Sequence, residues 1–150
     1  MITQASIDPG VGKNPEIARD SAQSLCQHRI RVLVVDDDYA VGEILSLGLG
    51  CHGYDVDVAR TCREAGQKLA SGQYSFVLLD LSLPDSTGIH FYYRLKARWP
   101  ALARRVAFLT AAAERHPELG LMREEGCPVL LKPSRISEVL AALQELGLES

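Results

Sequence analysis

The chain has 150 residues, with 47% hydrophobic and 23% charged residues and a formal net charge of -3. That is the make-up of one globular domain large enough to bury a core. It excludes a transmembrane span, and with acidic and basic residues interleaved it disfavours direct contact with nucleic acid. The four cysteines, Cys26, Cys51, Cys62 and Cys127, lack the paired spacing of a zinc site or disulfide framework. They read as reduced thiols of a cytoplasmic protein. No basic segment followed by an apolar run marks a secretory signal.

Residues 1–29 differ from the rest. Pro9, Gly10, Gly12, Asn14 and Pro15 stand among small polar residues, and the apolar positions have no period. This stretch reads as a flexible tail, with 30–150 as the folded domain.

From Ile30 the chain alternates between two hydrophobic periods. Ile30-Arg31-Val32-Leu33-Val34-Val35 is short, β-branched and nearly all apolar, the pattern of a strand covered on both faces. Tyr39 to His52 carries Val41, Ile44, Leu45 and Gly48 at helical spacing, with Gly53 placed to end the helix. Its internal glycines Gly42, Gly48 and Gly50 cost up to about 1 kcal/mol each relative to alanine, so this helix must rely on packing. Tyr54 to Ala59 alternates Val56 and Val58 with Asp55 and Asp57, as a half-exposed edge strand does.

Thr61-Cys62-Arg63-Glu64 is a capping box that opens a second helix running to about Gly72. Phe76 to Leu79 is another buried strand, ending at Asp80. Gly88 to Trp99 has helical spacing, with Pro100 expected to close it. Arg105 to Leu109 is a strand ending at Thr110. A polar helix over about Glu114 to Glu125 follows, starting near His116 if Pro117 occupies its first turn. Pro128 to Leu131 is a short strand ending at Lys132. Ile136, Val139, Leu140, Leu143 and Leu146 form the last helical stripe. Five strand–helix units in alternation predict a parallel α/β sheet with helices on both faces. The period does not give the strand order.

Four of the five predicted strands end in a reactive group: Asp36-Asp37-Asp38, Asp80, Thr110 and Lys132. A parallel sheet gathers ligands beyond its carboxyl ends, so these groups converge. Clustered carboxylates repel unless a cation joins them, and an all-oxygen set suits Mg²⁺ with phosphate. A carboxylate can itself accept a phosphoryl group. The metal, an ammonium and a hydroxyl then neutralise the phosphoryl oxygens.

In this order, Val34-Val35-Asp36-Asp37-Asp38, Leu78-Leu79-Asp80-Leu81-Ser82-Leu83-Pro84-Asp85-Ser86-Thr87-Gly88, Phe108-Leu109-Thr110-Ala111 and Leu131-Lys132-Pro133 resemble the receiver domain of two-component response regulators. The resemblance covers about Ile30 to Leu148. It implies a doubly wound, flavodoxin-like (βα)5 three-layer sandwich with strand order 2-1-3-4-5. It implies phosphorylation of Asp80 by a histidine kinase or phosphotransfer protein and a switched contact with a downstream protein target. The implied Mg²⁺ ligands are Asp36, Asp37, Asp80 and the Ser82 backbone carbonyl. Thr110 and Lys132 would meet the phosphoryl oxygens, Asp38 would start a helix, and Pro133 would follow a cis peptide. Such a domain catalyses only its own phosphotransfer and dephosphorylation.

Two positions depart from the family pattern. Val129 stands where many members carry Tyr or Phe, and Ser134 where Phe is frequent. The usual relay of hydroxyl and aromatic is therefore not expected in its common form.

Alternative readings remain open. A phosphatase using Asp80 would resemble the haloacid-dehalogenase type, which places a second aspartate two residues after the nucleophile, where this chain has Ser82. A phosphorylation-independent interaction module would keep the fold without the chemistry. The chain also reads as a stand-alone receiver, a relay intermediate or a receiver excised from a hybrid kinase, with no room for an appended output domain. The four histidines, His28, His52, His90 and His116, lack metal-ligand spacing and read as surface residues. Tyr92, Tyr93 and Trp99 read as packing residues.

Overall fold

A computed structural model describes residues 29–111, 118–132 and 134–148. The tail reading for residues 1–28, the helix start near His116 and the peptide at Pro133 lie outside the described residues.

Five parallel strands form one sheet: β1 (Ile30–Val35), β2 (Tyr54–Ala59), β3 (Phe76–Asp80), β4 (Val106–Thr110) and β5 (Val129–Leu131). Their spatial order is β2-β1-β3-β4-β5. β1, β3 and β4 are central, with β3 and β4 buried throughout and β1 buried from Val32 to Val35, which is why these stretches are continuous apolar runs. β2 and β5 are the two edges, and both are only partly covered. The alternation of Asp55 and Asp57 with valines is therefore the mark of an edge.

The helices are α1 (Tyr39–Gly50), α2 (Cys62–Ser71), α3 (Gly88–Arg98), α4 (Pro100–Ala103), α5 (Leu119–Glu124) and α6 (Ile136–Leu148). On one face of the sheet, Leu45 and Leu49 of α1 pack with Val139, Leu143 and Leu146 of α6 over Val32, Val34, Leu78 and Leu109. On the other face, residues of α2, α3 and α5 cover Leu33, Val35, Val77, Leu79, Val106 and Phe108. Each buried leucine or phenylalanine contributes about 1.5–3 kcal/mol, so the two cores hold both layers to the sheet.

The α1 glycines behave unequally. A side chain at Gly48 would collide with Ile136 of α6, and one at Gly42 would press on Val58, whereas Gly50 faces open space. Close packing thus offsets the helical cost at two of the three. The helix itself ends at Gly50, with Cys51 as its C-cap. Gly53 serves the turn into β2, at φ 90°, a conformation that favours glycine.

One element differs from expectation. Pro100 does not merely stop α3. Trp99 leaves the helical region at φ -130° and ψ 73°, and Pro100 opens the short α4 at its first position. Proline restricts the residue before it and needs no amide partner in a first turn, so it breaks one helix and begins the next.

Candidate functional site at the carboxyl edge of the sheet

The ends of β1, β3, β4 and β5 bring the predicted groups together. Asp36 follows β1 and is fully buried, and Asp80 and Thr110, the last residues of β3 and β4, are buried as well. Asp37 is exposed beside them. One carboxylate oxygen from each of Asp36, Asp37 and Asp80 lies within 4.8 Å of the others. Lys132, one residue past β5, places Nζ 2.6 Å from Asp36 Oδ2 and 3.2 Å from Asp80 Oδ2. Its backbone N–H donates to the Thr110 carbonyl at 2.7 Å, which seats Thr110 beside Lys132.

The loops fix the carboxylates. Asp36 Oδ1 accepts from the Asp38 amide at 2.9 Å, and Asp80 Oδ1 accepts from the Ser82 amide at 3.2 Å. Asp38 caps α1, its own side chain accepting from Ala40 N at 2.9 Å, so it starts the helix as expected. The charge is unbalanced: three carboxylates face one ammonium. Burial and the nearby Asp36 hold the Asp80 carboxyl above its usual pKa, against the amide of Ser82 and the charge of Lys132. Burial also opposes the Lys132 ammonium, but Asp36 and Asp80 together raise its pKa. Asp36 Oδ2 is buried and has the ion pair with Lys132 but no directed hydrogen bond. This donor set fits a hard, oxygen-seeking cation such as Mg²⁺.

Two positioning features were not singled out from the sequence. Gly88 is the first residue of α3, and a side chain there would strike the Asp80 carbonyl oxygen and the Leu81 Cα. Its amide donates to the Leu81 carbonyl at 2.9 Å, so α3 starts directly on the backbone of Asp80. Asp85 bridges to another element, its Oδ1 accepting from Cys62 N at 2.9 Å and its Oδ2 from Arg63 N at 3.0 Å. These amides hold its carboxyl below the usual range, and they tether the loop after Asp80 to the start of α2. The Leu83-to-Gly88 motif contained both signals.

At α2, Thr61 Oγ1 accepts from Glu64 N at 3.0 Å, while Glu64 Oε1 reaches Arg60 N at 3.0 Å, one residue before the cap. The capping box is present in this shifted form. Val129 packs against the α2–α3 side of the core and pairs with Phe108. Ser134 Oγ donates to the Leu131 carbonyl at 2.8 Å. Tyr92 is buried against Phe108, their ring centroids 5.5 Å apart, as a packing residue. His52 and His90 are exposed, while His28 and His116 lie outside the described residues.

Known proteins share this fold. The family model described as the response regulator receiver domain matches residues 32–144, and the chain belongs to that family. It is 33% identical over 117 residues to the transcriptional regulatory protein BasR of Escherichia coli, covering 78% of this chain and 52% of that protein. It is 34% identical over 120 residues to the response regulator MprA of Mycolicibacterium vanbaalenii, covering 78% and 50%. The chain thus spans about half the length of these curated relatives. Among solved structures, the non-phosphorylated HemR receiver domain of Leptospira biflexa superposes with a TM-score of 0.69 at 31% identity, covering 79% of this chain and 94% of that one. A CheY-like receiver domain protein of Methanospirillum hungatei shares the fold, with a TM-score of 0.70 at 24% identity, 81% of this chain and 99% of that one. Among the described residues, no helix is long and apolar enough to cross a membrane.

Proposed function

We propose that this receiver domain accepts a phosphoryl group on Asp80 from a phosphohistidine of a kinase or phosphotransfer protein, and that the modification switches binding of a downstream protein in the cytoplasm. The supporting observation is the charge imbalance at the strand ends: three carboxylates within 4.8 Å, one ammonium, and a buried threonine. A cluster so short of positive charge is poised to take up a cation and a phosphoryl group together.

Mg²⁺ held by Asp36, Asp37, Asp80 and the Ser82 backbone carbonyl would neutralise charge on the phosphoryl oxygens. In the transfer, an Asp80 carboxylate oxygen forms a bond to phosphorus as the donor's P–N bond breaks. The bond pair goes to the imidazole, which leaves neutral when its other nitrogen keeps its proton. Lys132 then pairs with the phosphoryl oxygens in place of one carboxylate, and the Thr110 hydroxyl donates to another oxygen. Attack of water on phosphorus then releases inorganic phosphate and returns Asp80 to its carboxylate.

The test is incubation with Mg²⁺ and acetyl phosphate, followed by intact mass. One added phosphoryl group on the wild type and none on Asp80→Asn is the expected result. Continuous phosphate release at catalytic rates would favour a phosphatase, and an unlabelled wild type, even with a cognate kinase, would refute the proposal. Beryllofluoride should bind only with Mg²⁺ present, and Asp37→Asn should weaken that binding.

A further inference from the structure

Arg60 is the first residue past β2, and Tyr39 is the first residue of α1. Between them runs the Asp36-to-Asp38 connection, tied to the end of β2 by a 2.9 Å bond from Asp36 N to the Ala59 carbonyl. The Arg60 guanidinium carbon lies 3.1 Å from the centroid of the Tyr39 ring, so the two side chains meet alongside that connection. Tyr39 is 66% exposed, and the stack therefore stands at the rim.

The guanidinium is short of partners. Its Nη1 is buried without a hydrogen-bond acceptor among the described residues. No described carboxylate forms an ion pair with it. Glu64, the nearest candidate in sequence, spends its carboxylate on the Arg60 backbone amide. An unpaired guanidinium gains charge-assisted hydrogen bonds from an anion at its accessible nitrogens. Stacking over an aromatic ring orients the guanidinium, and Nε and Nη2, which unlike Nη1 are not buried, are left for oxygen ligands.

The local field adds a reason for a cation here. An incoming phosphoryl donor is an anion and must approach three aspartates. One positive charge at the rim offsets part of that repulsion and raises the rate of productive encounter. We infer that Arg60, held over the Tyr39 ring, forms an anion subsite that receives the phosphoryl group of the donor before its transfer to Asp80. This inference rests on the proposed role of Asp80. It makes the net negative charge of the donor a determinant of how fast it labels Asp80, and it makes Arg60 a specificity residue.

The experiment compares two small donors with the full chain and Mg²⁺. Acetyl phosphate is a net dianion at neutral pH, whereas phosphoramidate, with its nitrogen protonated, carries a net single negative charge. Arg60→Met should slow labelling by subsaturating acetyl phosphate about 5-fold at low salt, by raising half-saturation with the maximal rate unchanged. Its effect with phosphoramidate should be about 2-fold or less, and high salt should shrink both differences. Tyr39→Phe should behave as wild type, while Tyr39→Ala should shift toward Arg60→Met. Equal slowing with both donors at all salt concentrations, or none, overturns the subsite. A second measurement stands apart from phosphorylation: inorganic phosphate added to Asp80→Asn protein should shift the Arg60 side-chain N–H resonance. An unmoved resonance overturns the subsite even where Asp80 is labelled. A moving resonance with no labelling keeps the subsite and refutes the role of Asp80.

Discussion

Two polar clusters on this sheet are built on opposite principles. At the carboxyl edge, Asp36, Asp37 and Asp80 lie together, and among the described residues the ammonium paired with them is that of Lys132, on Asp36 and Asp80. On the β2–β1 side, Asp57 is matched. Arg31 Nη2 donates to Asp57 Oδ2 at 2.6 Å, the Tyr74 hydroxyl donates to the same oxygen at 2.6 Å, and the guanidinium lies 4.6 Å from the Tyr74 ring centroid. The ionisation of the two aspartates diverges accordingly. Burial raises the Asp80 pKa. At Asp57 burial pushes the same way, but the phenol and the guanidinium overcome it and lower the pKa. A balanced cluster holds a fold, whereas an unbalanced one is left to bind something.

The contrast is broken most severely at Lys132. Lys132→Met removes the cation from a mostly buried carboxylate group and should cost about 3 kcal/mol in urea denaturation without divalent ions. Mg²⁺ should restore part of that loss, because at ten times its dissociation constant a ligand adds about 1.4 kcal/mol. Equal loss with and without Mg²⁺ would count against a cation site.

The next two variants should have opposite signs. Asp57→Asn should destabilise by about 1 kcal/mol, a figure reduced for the solvent exposure of the Arg31–Asp57 pair. Asp80→Asn should instead stabilise the metal-free protein by about 1 kcal/mol, because it relieves repulsion while Lys132 keeps Asp36. Matched denaturation curves at neutral pH decide this, and a shared sign would erase the distinction.

The smallest effect is in pH. The lowered native pKa of Asp57 means its stabilisation is full above the unfolded value of about 3.9 and is lost as pH falls through the native value. The Tyr74 hydroxyl is pushed up to about 12, first by burial and then by Asp57. Its contribution is full below the unfolded value of about 10 and fades as pH rises through the native one. The stability difference between wild type and Tyr74→Phe should therefore be flat near neutrality and decline at alkaline pH. A difference unchanged up to pH 12 would contradict the Asp57–Tyr74 bond.

Much of this was legible in the residues. Continuous apolar runs marked β1 and β3 as buried strands, and the alternation at Asp55 and Asp57 marked β2 as an edge. Strand ends alone placed Asp36, Asp80, Thr110 and Lys132 together. The order of the strands came from family resemblance, because hydrophobic period says which faces are buried and nothing about neighbours. What stayed hidden was contact between distant positions. Asp57 read as the polar half of an alternating strand, since Arg31 and Tyr74 lie on other elements. Gly88 read as a helix start, since its close approach to Asp80 is a property of the backbone path. Arg60 carried no signal until Tyr39 was placed across from it.

The contact between Gly88 and Asp80 makes α3 a lever. Eleven residues long, it extends about 16 Å, with its fulcrum on the peptide of the acceptor aspartate. A tilt of about 4° at that fulcrum moves the far end by about 1 Å over this length. Near that far end Lys96 is paired with Glu125, beyond α5, at 2.6 Å. A small adjustment at the backbone of Asp80 would thereby be magnified into a displacement at that surface ion pair.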